Sequence, residues 1–227
     1  MKKLLLITFA ATFVLGAMSS CDEEEVDMGK EEIKGNTYAE EEEVFYYYGY
    51  EDRKIFLQQQ MDKIFLQFAP DADQAQIRSL IHSNPSLCPI SCFHLEMDLD
   101  YAILEERSGN PIGRDILGSF QSRPEVLSAA YLMGYRGGWL GLLNSFAVGL
   151  KASISNAQLQ ELATQHHCIV GRKYSFDFME ESYQMYVSKT CKLNALQMAN
   201  LFYETGRFTF AEPNFLIFNA LVSVNNF

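Results

Sequence analysis

SFAVGLKASISNAQLQELATQHHCIVGRKYSFDFMEESYQMYVSKTCKLNALQMANLFYETGRFTFAEPNF, residues 145–215, switches repeatedly between a hydrophobic period of two and one near 3.6. Over Ser145–Ala152, Phe146, Val148 and Leu150 fall on alternate positions and so share one face of a strand. Ser155-Asn156 then caps a helix that runs to His166, with Ile154, Leu159, Leu162 and Ala163 at helical spacing. Cys168–Phe178 and Ser182–Thr190 read as strands around the turn Met179-Glu180-Glu181. Asn194 caps a second helix, Ala195–Thr205, whose Leu196, Ala199, Leu201, Phe202 and Tyr203 are apolar and which Gly206 stops. Phe208–Ala211 begins a last strand, with Pro213 at its edge.

The order strand–helix–strand–strand–helix–strand is the split βαβ, or ferredoxin-like (βαββαβ), layout. Working outward, the same order recurs more faintly upstream. Val44–Tyr48 and Lys54–Leu57 form a hairpin pattern, and Lys63–Phe68 a further strand. Pro70–Asp73 is a turn and cap before a helix at Ala75–Ile81, which Asn84-Pro85 ends. Phe93–Leu99 alternates as a strand that Tyr101–Leu104 either extends or pairs with, and Ile112–Phe120 is a weak helix. Val126–Tyr135 and Trp139–Leu142 flank the hairpin turn Arg136-Gly137-Gly138. The expected fold class is therefore α+β. A ferredoxin-like module at 143–227 follows a second, related α+β module at 44–142.

Ahead of these lie two segments of another kind. Met1-Lys2-Lys3 is a short positive region and Leu4–Met18 an uncharged, mostly apolar run, too short to span a membrane comfortably. Ser19-Ser20-Cys21 follows as in a lipobox, so residues 1–20 are expected to be a signal peptide and Cys21 the lipidated residue. Residues 22–43 hold eleven acids against Lys30 and Lys34, which concentrates most of the net charge of −11 in a solvated tether. Acids directly after the lipidated Cys resemble the surface-export signal of Bacteroidetes lipoproteins. That resemblance implies an outer-membrane lipoprotein at the cell surface, with a periplasm-facing one as the alternative. Contact with the membrane is expected through the lipid anchor only. No basic stripe favours nucleic acid.

Four further cysteines in an exported chain permit disulfides. A hairpin centred on Met179-Glu180 would set Cys168 opposite Cys191, and Cys88 with Cys92 could close a small loop. His166-His167-Cys168 is better suited to ending a helix than to holding a metal, because neighbouring side chains diverge. No metal or other cofactor is expected. Tyr46-Tyr47-Tyr48 reads as a strand with one aromatic face buried, or as a sticky exposed patch.

Asn194–Gly206 followed by Phe208, Phe210-Ala211-Glu212-Pro213-Asn214-Phe215 resembles the end of N-terminal prodomains of subtilisin-like serine proteases, those of Bacteroidetes and fervidolysin-type enzymes above all. The resemblance is strongest over about residues 145–215. The sequence has none of the Asp-Ser/Thr-Gly, His-Gly-Thr or Gly-Thr-Ser-Met-Ala motifs that carry such an enzyme's triad. The implied protein is a non-catalytic, prodomain-like lipoprotein without its protease. Its implied partner is a subtilisin-like serine protease, bound in trans as inhibitor or folding helper. An adhesion or other binding lipoprotein that reuses the scaffold, and a remnant of a truncated protease, stand as alternatives.

Prodomains of this kind dock a sheet face on surface helices of the protease and lay a C-terminal segment in its cleft as an extra strand. Here that segment is the apolar tail from Leu216, Ile217, Phe218, Asn219, Ala220 and Leu221 to Asn226 and Phe227. Glu180 or Glu181, at the turn between the middle strands, would supply carboxylates to cap helix N-termini of the protease.

Overall fold

In the computed structural model the described residues are 45–49, 52–95, 99–135, 137–176 and 179–218. The expected leader 1–20, Cys21, the acidic segment 22–43 and tail residues 219–227 lie outside them. No helix among the described residues is long and apolar enough to cross a membrane.

The helices form where their caps dictate. Helix α1, Gln74–Ile81, starts at Asp73, whose carboxylate accepts from the N–H groups of Ala75 and Gln76. Helix α2, Arg114–Gln121, begins later than its apolar pattern suggested. Ile112 is drawn out of it because its N–H donates to the Met61 carbonyl at 2.7 Å. Helices α3, Asn156–Gln165, and α4, Ala195–Glu204, each open on a reciprocal capping box, Ser155 with Gln158 and Asn194 with Gln197. Gly206, at φ +69°, ends the last turn after α4.

The strands in chain order are β1 Phe45–Tyr48, β2 Lys54–Phe68, β3 Leu87–Leu95, β4 Leu99–Glu106, β5 Val126–Tyr135, β6 Gly138–Leu150, β7 Cys168–Phe176, β8 Met179–Val187 and β9 Phe208–Phe218. Two expected strands, 54–57 and 63–68, are one. Strand β2 runs unbroken for 15 residues because β1 pairs with its beginning and β4 and β5 with its end. A register shift between Gln60 and Ile64 frees the Met61 carbonyl that Ile112 uses. Strand β6 likewise joins the expected 139–142 and 145–152 strands, since β9 follows it across a shift between Leu142 and Phe146. The expected boundary between residues 142 and 143 therefore falls inside a strand.

Strand β3 starts six residues before the expected Phe93, paired Leu87 to Glu106, and Pro89 sits beside a register shift on this outer strand. Cys88 and Cys92 thus lie along an extended strand rather than across a loop. Four residues of strand span about 13 Å, beyond the reach of a disulfide, and Cys88 is a free thiol.

All pairings among the described residues are antiparallel. The run β2–α1–β3–β4–α2–β5 has spatial strand order β3-β4-β2-β5, and β6–α3–β7–β8–α4–β9 has β7-β8-β6-β9. In each half the first strand is central, flanked by the third and the fourth. The halves join through the β5–β6 hairpin, where Tyr135 faces Gly138 and Gly137 takes φ +78°.

Each half covers one sheet face with its own helices. Ile64, Leu66, Phe68, Leu104 and Val126 pack with Ile77, Leu80, Ile81 and Phe120 of α1 and α2. Phe146, Val148, Leu150 and Met185 pack with Leu159, Leu162, Ala199 and Phe202 of α3 and α4. The reverse face of the first sheet is sealed differently. Phe65, Tyr101, Ile103 and Leu132 are buried against Trp139 and Leu143 of β6 and Leu216 and Phe218 of β9. The Phe65 ring lies where a side chain on Gly141 would be, 2.5 Å from that Cβ position. At the N-terminus, β1 lies along α4: Tyr48 stacks on Tyr203 at 4.4 Å, and the hydroxyls of Tyr46 and Tyr48 donate to Glu204. Tyr47 faces the other way, onto Phe215.

Gly141→Ala should therefore destabilise the protein by about 1–3 kcal/mol, because the Phe65 ring has no free space to retreat into. Urea unfolding monitored through Trp139, which borders the same cluster, measures it; an unchanged midpoint would show that the two layers do not meet there.

Candidate docking surface

The second half of the sheet has one face that none of the described helices or strands covers. Alternation decides its membership. On β6, Phe146, Val148 and Leu150 point to the helices, so Ser145, Ala147 and Gly149 point away. Their cross-strand partners extend the face: Tyr186, Gln184 and Ser182 on β8, and Glu212 and Phe210 on β9 opposite Ala147 and Gly149. Strand β7 adds Ile169, opposite Tyr186 and 59% exposed, and Tyr174, opposite Ser182.

Two glycines shape this surface. A Cβ on Gly149 would fall 2.4 Å from the Phe210 ring, and one on Gly171 would fall 2.5 Å from the Tyr186 ring. Each ring thus reaches onto the neighbouring strand, into the space that a side chain on the glycine would fill. Between them the floor is small side chains: Ser145 and Ser182, both buried, and Ala147. The result is a shallow trough with aromatic flanks. The Tyr174 hydroxyl donates to Gln184 Oε1 at 2.9 Å, and the Arg172 guanidinium sits 5.4 Å from the Tyr174 ring centre at the outer rim.

Glu212 is the carboxylate of this face. It is part-buried, and burial raises its carboxyl above the usual carboxylate range. Among the described residues it has no hydrogen-bond or ion-pair partner. Asn214, two residues on, is engaged with Ser145 Oγ at 3.0 Å. Sequence reasoning passed over Glu212; the structure turns it outward because Ala211 pairs with inward Val148.

The expected docking carboxylates behave otherwise. Glu181 is exposed and bonded to Lys173 at 2.5 Å and to the Tyr183 hydroxyl at 3.2 Å. The Lys173 contact holds its carboxyl low. It shares the parity of Tyr183 and Met185, which face the helices, so it does not belong to the open face. The side chain of Glu180 lies outside the described residues.

The expected tail divides. Leu216 and Phe218 pair with Gly141 and Trp139, and the Phe218 ring lies 5.5 Å from Tyr101, centre to centre. Only Ile217 of the three is exposed, at 62%. A free segment beginning at Leu216 is thus corrected: these residues are sheet and core, because their inward face closes the first half.

Strand register also revises the cysteine argument. Cys168 stands opposite Val187, since Phe176 pairs with Met179, and Cys191 lies in the loop beyond β8. Both are free thiols that border one apolar cluster. Burial, with a smaller effect from the nearby Cys191, pushes Cys168 up to about 12. His166 caps α3 with its ring 5.9 Å from Phe202, and the neighbouring His167, at φ +54°, reaches toward Thr190.

A cleft of about 450 Å³ lies between the end of α2 and the loop leading into α4. Lys189 bridges it, donating to the carbonyls of Gln121 and Arg123 and so capping α2 from the other half of the chain.

No family model, curated protein or solved structure matches this chain.

At pH 8 the Cys168 thiolate is populated to roughly one part in ten thousand. Iodoacetamide should consequently label Cys88 and Cys191 well before Cys168. Peptide mass mapping over time checks this, and equal labelling rates would mean that Cys168 is neither buried nor raised.

Proposed function

We propose that this chain is a non-catalytic lipoprotein that binds a subtilisin-like serine protease in trans through the open face of its second half. The observation that carries the reading is that face itself: an aromatic-flanked trough with no covering element among the described residues, on a unit otherwise closed by its own helices. The strand orders β3-β4-β2-β5 and β7-β8-β6-β9 support a ferredoxin-like reading of both halves. They are compatible with the prodomain resemblance of residues 145–215. Anchorage through Cys21 at the outer membrane, facing the cell exterior or the periplasm, belongs to the same proposal.

In this reading the inhibitory segment is Asn219–Phe227, shorter than the sequence alone suggested, because Leu216 and Phe218 are committed to the core. A sequence without Pro or Gly suits it to add as a strand in a substrate cleft. Sheet face and tail then have separate duties, the first supplying contact area and the second occupying the cleft.

The test titrates residues 42–227, which form one compact unit, into a secreted subtilisin-like protease of the same cell. A chain ending at Phe218 is compared with it. The longer chain should slow peptide hydrolysis, while the shorter one should bind and inhibit at least roughly tenfold less. Absence of binding by either chain across the cell's proteases of this class would refute the reading. Equal inhibition by both would relocate the inhibitory element to the sheet face.

A further inference from the structure

We infer that the cleft between the end of α2 and the loop leading into α4 is a binding site for a small organic oxyanion, a carboxylate or phosphate ester on a short apolar body. The site shares no residue with the open sheet face or the tail. It therefore goes beyond the protease reading and does not depend on it.

Charge is the first argument. The chain carries −11 overall, yet the described residues lining this cleft include two cations, Lys189 and Lys192, and no carboxylate. Among the described residues neither lysine has a counter-charge in contact. The Lys189 ammonium donates to the Gln121 carbonyl at 3.0 Å and the Arg123 carbonyl at 3.1 Å, and both acceptors are neutral. Glu125, the acid that acts on it from farther off, is itself paired with Arg123 at 3.2 Å. Burial accordingly lowers the Lys189 ammonium below the usual lysine range. Lys192 is exposed, and no described residue pairs with it.

Neutral groups favour the same sign of ligand. The capping box at the start of α4 engages the amide oxygens: Asn194 Oδ1 accepts the Gln197 N–H and Gln197 Oε1 the Asn194 N–H, both at 3.0 Å. Both residues line the cleft, and their amide NH2 groups have no acceptor among the described residues. Unengaged donors beside two ammonium groups suit an oxygen anion. Because α4 starts here, the positive end of its dipole adds to the field of the lysines.

Size and wall make the anion organic. Leu127, Val187 and Leu193 supply an apolar part of the lining. At about 450 Å³ the cleft falls within the usual range for small-molecule sites, about 300–1,000 Å³. An inorganic ion would leave most of that space and all of the apolar wall unused.

The test is an NMR titration of the full chain under reducing conditions. Hexanoate and hexyl phosphate carry one apolar body under two anionic heads, and hexylammonium reverses the charge. At least one of the anions should shift the amide signals of Lys189 to Ala195, and the head that binds more tightly identifies the ligand class. Hexylammonium should leave those signals in place. Lys192→Gln should weaken anion binding roughly three- to fivefold, as expected for a partly screened charge. Lys189→Gln should weaken it further. Since Lys192 makes no described contact, its variant decides the matter if the loss of the Lys189 cap unfolds the protein.

A second readout fixes the place. Cys191 lines the cleft, whereas Cys88 lies on β3. A bound anion should slow iodoacetamide labelling of Cys191 and leave that of Cys88 unchanged. No shift with either anion, an equal response to hexylammonium, undiminished binding in Lys192→Gln, or Cys191 labelling that the bound anion does not slow would each overturn the inference. None of these results bears on protease inhibition, so the two readings stand or fall separately.

Discussion

The seat of the Phe65 ring on Gly141 is the contact on which the rest of this architecture depends. Strand β6 serves two cores at once because its alternate side chains point to opposite sides. Leu140, Leu142, Phe146, Val148 and Leu150 face the helix side of the second half, while Trp139, Gly141 and Leu143 close the back of the first. A side chain at 141 would hold the layers apart. Its absence lets Phe65, fully buried, meet the strand directly. Burial of one such ring contributes about 1.5–3 kcal/mol, and Ile103, Leu132 and Tyr101 depend on the same close approach.

The candidate docking surface continues this interface along the same strand. Past Leu143 the residues on that side of β6 become Ser145, Ala147 and Gly149, and the first half no longer covers them. The glycine-and-ring device recurs twice there, with Phe210 over Gly149 and Tyr186 over Gly171. At Gly141 the ring comes from the opposing sheet, so the contact is an internal joint. At Gly149 and Gly171 the ring comes from the adjacent strand of the same sheet, so its outer side remains available.

Polar contacts fix how the halves meet. Gln67, buried in the first half, accepts from the Asn144 N–H at 2.9 Å, where β6 passes through its register shift. The Ser128 hydroxyl donates to the Leu142 carbonyl at 2.8 Å, and Lys189 caps α2 from across the cleft. The first two satisfy backbone groups at the irregular join and the third satisfies carbonyls at the end of α2, and such groups are expensive to bury alone. The join is thereby held in register and does not rest on apolar packing alone.

Local chemistry made much of this legible in advance. Asp73, Ser155 and Asn194 declared the starts of three helices, because a cap acts on N–H groups two or three residues away. The alternation of Phe146, Val148 and Leu150 declared the inner face of β6. Strand continuity at Met61 and at Leu143–Ser145 was not legible, since a bulge breaks the period of two while the partner strand carries the ladder across it. Nor was the fate of the acids. Glu181 and Glu212 look alike as outward residues of β-prone segments, and only the sheet's two sides separate them: one side is crowded by helices and supplies Lys173, the other is open and, among the described residues, supplies no partner. In the same way Leu216 and Phe218 have the composition of a free, sticky tail, but both pack on the back of the first half. The sequence by itself determined which residues share a face, because that follows from bond geometry one residue at a time. Which faces are covered, and so which carboxylate and which stretch of tail are left for a partner, only the tertiary structure decided, because coverage depends on segments far away in the chain.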